Sequence, residues 1–208
     1  NTDILYEMWP TLLKGIEEAD RRFDEKKGLV AALNSTSNDA FPEPENGGFS
    51  LSTECYFMKA YESIVSIAEL IGYGNKEEIE RWRERGKKIR TAVRKCYWNP
   101  QYGYYTSGPE GSQSFEKGFW ETSGEESVLW PKFNVATKEQ RRMILRKLES
   151  TAMTEYGIKL FPYRKEKNHF CGAVWGVWQA GFAAAASVEG DSELIRRLLA
   201  QQIRVCLM

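Results

Sequence analysis

Two stretches of the chain set tryptophans against carboxylates and glycines where helices should meet loops. Residues 119–131 hold Trp120, Glu121, Gly124, Glu125, Glu126 and Trp130 and end at Pro131; residues 168–178 hold His169, Gly172, Trp175, Gly176 and Trp178. An indole face beside an acidic side chain suits a sugar ring, which is apolar across its face and rich in hydroxyls at its edge. Apolar pockets with a few placed polar groups are the general form of small-molecule sites. Cleaving a glycoside needs two carboxyl groups, one to protonate the leaving oxygen and one to activate water or attack carbon. A separation of roughly 6.5–9.5 Å implies inversion, and one of about 5–5.5 Å implies retention.

Each candidate carries a structural alternative. Glu121 and Glu125 would share one side of a helix over 122–129, with Cβ atoms about 5–6 Å apart; a substrate, a water or Arg164 could separate their charges, or the segment could be a solvated acidic loop. Glu125 or Glu126 is the candidate base within the chain. Asp39, in a polar loop near Phe41, would need partial burial against aromatics to act as a general acid; otherwise it is an Asx-turn residue. Glu54, in the first turn of a helix, either favours the helix dipole or accepts a sugar hydroxyl at the mouth of a site. His169 either bonds sugar hydroxyls or caps a helix. Trp120, Trp130 and Trp175 are stacking candidates, and Arg164 is a clamp for substrate or carboxylate or a surface cation.

The elements that must hold these residues are helices. Apolar residues at Ile4, Leu5, Met8, Leu12, Leu13 and Ile16 give a first helix over 4–22, with Pro10 expected to kink or divide it. A long Asn-, Ser-, Pro- and Gly-rich loop covers 30–50, and loops of that length are often functional. Helices follow over 52–71 and from Asn75 to about Tyr97, with Asn75 and Glu78 as a capping box. Tyr104 and Tyr105 begin a short strand, residues 107–117 a polar loop. Thr137 and Gln140 form a second capping box before a helix over 138–150. Residues 156–163 are extended, 171–188 form an Ala-rich helix, and 192–203 form a last one. Gly72 with Asn75, and Gly190 with Asp191, each join two helices by a short turn, whereas long loops lie at the other ends. That asymmetry marks stacked αα-hairpins with the long loops gathered on one face.

The 208 residues suit a single all-α domain, 1–208, with enough chain to bury a core. Basic and acidic residues cancel at 29 each, so no net field draws the chain to nucleic acid or anionic lipid. No apolar run reaches the ~18 residues of a membrane span. The sole histidine, His169, excludes a multi-histidine metal site, and no cofactor is implied. Cys55, Cys96, Cys171 and Cys206 lack any CxxC spacing; they are expected to be free and buried, which favours a reducing compartment such as the cytoplasm over a periplasmic location reached by a removed signal.

Taken in order, the motifs resemble those of the six-hairpin (α/α)6-barrel glycosidases, most closely the glycogen-debranching-type glucosidases and α-rhamnosidase-like enzymes. The resemblance is carried by the Trp9-Pro10 helix followed by Lys27-Gly28-Leu29-Val30; by Asn38-Asp39-Ala40, Glu45-Asn46-Gly47 and Thr53-Glu54; by Ala68-Glu69-Leu70-Ile71-Gly72; by residues 97–104; and by residues 169–178. It implies an all-α fold of stacked hairpins forming part of an (α/α)6 toroid, a fragment of a larger catalytic barrel. It implies an inverting glycosidase acting on an oligo- or polysaccharide, with the general acid at Asp39 and the base in a loop beyond Met208. Gly176 stands where the rhamnosidase-like enzymes carry a Glu, so that residue offers no base. A partial toroid would expose apolar helix faces, so association, or completion by other parts of the same polypeptide, is expected. The rival functions are a non-catalytic carbohydrate-binding helical module and a helical scaffold for protein partners. A sugar epimerase on the same toroid is disfavoured by the single histidine.

Overall fold

The computed structural model describes residues 2–32, 47–120, 122, 128–162, 174 and 179–206. The first helix, α1 (Asp3–Arg21), runs unbroken through Pro10, contrary to the expected division. Pro10 lies on the exposed side of the helix, where solvent can take the Tyr6 carbonyl that the ring deprives of its donor. A two-stranded hairpin follows, β1 (Phe23–Asp24) against β2 (Leu29–Val30). Its turn passes through Gly28 at φ +68°, a conformation that glycine adopts without Cβ strain.

Helices α2 (Leu51–Leu70) and α3 (Lys76–Cys96) form the first αα-hairpin. Gly72, at φ +70°, turns the chain between them. The Asn75 side chain then accepts the Glu78 backbone N–H, as the spacing implies. Glu78 spends its carboxylate on the Tyr73 hydroxyl at 2.7 Å. α2 buries Leu51, Cys55, Met58, Tyr61, Ile64, Val65 and Ala68, a face too broad for a surface helix. α3 instead buries only the stripe Ile79, Trp82, Gly86, Ile89, Ala92 and Val93 and exposes its charges. Gly86 faces α2, where a Cβ would lie in ordinary contact with Tyr61 Cβ at 3.4 Å.

Beyond α3, β3 (Trp98–Asn99) pairs with β4 (Tyr104–Tyr105), so the expected strand exists as half of a hairpin. The polar stretch over 107–117 contains a short helix, α4 (Gln113–Lys117), capped by Ser112. A 3₁₀ turn (Pro131–Phe133) precedes α5 (Lys138–Thr151), where Thr137 and Gln140 form the complete capping box. The final hairpin joins α6 (Gln179–Glu189) to α7 (Ser192–Cys206) through Gly190 at φ +76°, with the Asp191 side chain accepting the Leu194 N–H.

Successive helices pack α1 on α2, α2 on α3, α5 on α6 and α6 on α7. The short turns at Gly72 and Gly190 lie at one end. The described connecting residues 22–32, 47–50, 97–120 and 152–162 lie at the other, tied to one another by backbone hydrogen bonds. One apolar core runs through the layer, from Trp9 and Ile16 through Met58, Tyr61 and Ile89 to Leu148, Phe182 and Leu198. Ion pairs tie the layer together: Arg85 and Asp20 join α3 to α1, and Arg141 and Arg142 both hold the buried Glu189 at the end of α6. Among the described residues Cys55 is buried, and Cys96 is a partly exposed free thiol. No helix there is long and apolar enough to cross a membrane.

Candidate functional site

The end of the helices opposite the Gly72 and Gly190 turns carries a layer of buried polar side chains. Ser50, Ser52, Thr53 and Glu54 open α2 and are all buried, as are Thr106, Ser114, Thr122 and Gln179. Buried polar groups cost free energy unless they are hydrogen-bonded, and here the bonds run between successive loops. The Leu51 N–H donates to the Ser107 carbonyl at 3.0 Å, and the Ser107 N–H donates to the Phe119 carbonyl at 2.9 Å. The Thr122 N–H donates to the Leu160 carbonyl at 3.0 Å, and its hydroxyl donates to the Lys159 carbonyl at 2.9 Å. The Tyr97 hydroxyl reaches back to the Phe49 carbonyl at 3.1 Å. The loops thus rest on a platform laced across three connections.

Three of the sequence-derived site residues fall in this description. Glu54 is wholly buried, and both its carboxyl oxygens accept the Val30 N–H, at 3.2 and 3.1 Å. It therefore pins β2 to the start of α2. Trp120 is also buried, its ring stacked on Tyr104 with centroids 4.8 Å apart and planes 14° apart. Tyr104 stacks in turn on Tyr102 at 5.7 Å, so Trp120 belongs to a stack of aromatic rings. Trp130 is 37% exposed, tilted over Phe133 at 6.1 Å, and alone of the three offers ring surface to solvent. Asp39, Glu121, Glu125, Glu126, Arg164, His169 and Trp175 lie outside the described residues.

Sequence inspection gives Ser50, Ser52, Thr122 and Gln179 no role of their own, because polar residues at helix starts look like ordinary caps. Gln179 begins α6 at 4% exposure, and its amide fills the space above Gly157, where no Cβ could fit. Its carboxamide atoms have no hydrogen-bond partner among the described residues. Among the described residues no group of three or more His, Cys, Asp or Glu side chains could hold a metal ion.

The profile of the family described as "Mannosylglycerate hydrolase MGH1-like glycoside hydrolase domain" matches residues 2–207. The chain belongs to this family. No curated protein matches the sequence. Solved structures similar to this MGH1-like domain include a sialidase at 15% identity, covering 98% of this chain and 20% of that one with a TM-score of 0.74. A rhamnosidase from Klebsiella oxytoca, with rhamnose bound, is 20% identical over 98% of this chain and 37% of its own, at a TM-score of 0.63. A GH63 mannosylglycerate hydrolase from Thermus thermophilus is 15% identical over 75% of this chain and 37% of its own, at 0.50. At such identities the likeness is one of fold, and it makes the stacked hairpins of the MGH1-like domain part of an (α/α)6 toroid. The chain spans only 20–37% of the length of these neighbours.

Proposed function

We propose that the protein carrying this chain is a glycosidase that cleaves an oligo- or polysaccharide, or a smaller glycoside, by general acid–base catalysis with inversion. The observation that carries this is the family match across residues 2–207. The platform that ties the described connections together supports it, because a rigid base lets loop residues hold reacting groups in place. Residues 1–208 form one all-α unit of a larger catalytic barrel. Asp39 is the general acid, and Glu125 or Glu126 is the base if the base lies within this chain. Glu121, Trp130, Arg164, His169 and Trp175 bind the sugar. Glu54 and Trp120, from their burial, position the loops around it.

The test is turnover of a panel of aryl glycosides and of mannosylglycerate by the protein containing this chain, with the first-formed product anomer followed by NMR. Asp39→Asn should lower the rate by about 10²–10⁴-fold, the usual worth of a general acid. Unchanged turnover would remove Asp39 from the mechanism. Binding of sugars without turnover of any of them would favour the carbohydrate-binding module.

A further inference from the structure

A groove of about 750 Å³ opens between the 25–29 turn, the exposed flank of α3 from Glu84 to Cys96, and the loop 109–112. None of Glu54, Trp120 or Trp130 lines it. Its volume lies in the range of small-molecule sites, which bury an apolar body and fix it with a few polar groups. The floor is apolar: Leu29, Phe49 and Ala92 are buried there, and the Cys96 thiol is partly exposed.

The rim is basic. Five lysines face three glutamates around the groove. Two of those lysines are already matched, Lys88 with Glu25 at 2.7 Å and Lys87 with Glu84 at 2.6 Å. Lys26, Lys27 and Lys95 have no ion-pair partner among the described residues. Lys27 instead holds its ammonium 4.1 Å from the centre of the Phe49 ring, over the floor. A cation poised above an aromatic floor can take up an anion without first breaking a salt bridge.

We propose that this groove binds a small organic anion, with an apolar body against Phe49, Ala92 and Cys96 and a carboxylate or phosphate head among Lys26, Lys27 and Lys95. Among the described residues, none of those assigned to the glycosidase site lines the groove.

Cys96 reports on occupancy. Burial, and then Glu110, hold its thiol above the ordinary range, so alkylation by iodoacetamide is followed at about pH 9, where enough thiolate forms, by mass spectrometry of the Cys96 peptide. The probes are phenyl phosphate and phenylacetate, with 2-phenylethanol as the neutral control. Either anion at millimolar concentration should slow labelling roughly fivefold, the effect of about 80% occupancy, and the stronger of the two identifies the head group. Protection should weaken at high salt. It should need about tenfold more anion in the double variant Lys27→Gln/Lys95→Gln, which alters only exposed side chains. The proposal is overturned if Cys96 is inert in the free protein, if neither anion protects, if the alcohol protects equally, or if the double variant behaves as the parent.

Discussion

Substitution of Glu54 separates a structural role from a sugar-binding one. Glu54→Ala strips the Val30 N–H of its acceptor in a fully buried position. An unsatisfied buried donor costs about 1–3 kcal/mol. The lost carboxymethyl leaves a void in the first turn of α2, adding about 1 kcal/mol or more. The sum, about 2–4 kcal/mol, corresponds to a melting-temperature drop of roughly 4–16 °C for a chain of this size. Glu54→Gln keeps one acceptor oxygen of the same shape and should cost about 1 kcal/mol. Urea unfolding followed by tryptophan fluorescence measures both. A sugar-binding glutamate at the mouth of a site would show the opposite pattern, with stability intact and KM raised in both variants. A Glu54→Ala protein within about 0.5 kcal/mol of the parent, inside the range of ordinary surface changes, would refute the structural assignment.

Two further outcomes follow from local geometry. Gly118 has φ +63°, and a Cβ there would run into the Tyr102 ring, whereas Gly190, at φ +76°, has nothing within 4 Å of that position. Gly118→Ala should therefore cost about 2–4 kcal/mol and Gly190→Ala only about 1; equal losses on thermal melting would contradict the packing. The Tyr61 hydroxyl, buried and donating to Asp20 at 2.7 Å, is held above its ordinary range first by burial and then by that bond. A folded-state value above the unfolded one stabilises the protein fully below the unfolded pKa of about 10, and this stability drains away as the pH rises beyond it. Tyr61→Phe should cost about 1–2 kcal/mol at neutral pH and flatten the alkaline loss, and parallel pH profiles for the two proteins would exclude this.

The sequence carries its clearest information where one local interaction decides. The Thr137–Gln140 box and the Asn75 and Asp191 caps are complete within four residues, and all form. Where partners are distant, residue type does not reveal them. Nothing beside Trp120 in the sequence announces Tyr104, sixteen residues earlier, stacked on its ring. Nothing beside Glu54 announces Val30, twenty-four residues away, whose N–H it accepts. Pro10 is expected to kink or divide the first helix; its side of α1 faces water, and the helix is not divided. Of the site itself, the residue types and the loops they occupy are legible; the platform is not, because backbone donors and acceptors leave no mark in side-chain patterns.

That platform has an evolutionary consequence. Its ties from Leu51 to Ser107, from Ser107 to Phe119 and from Thr122 to Leu160 join peptide groups to peptide groups, which every residue but proline can supply in full. Side chains along these connections can change without breaking the ties, so new preferences can be tried at little cost to folding. A scaffold knitted by its main chain is free to diversify at its rim.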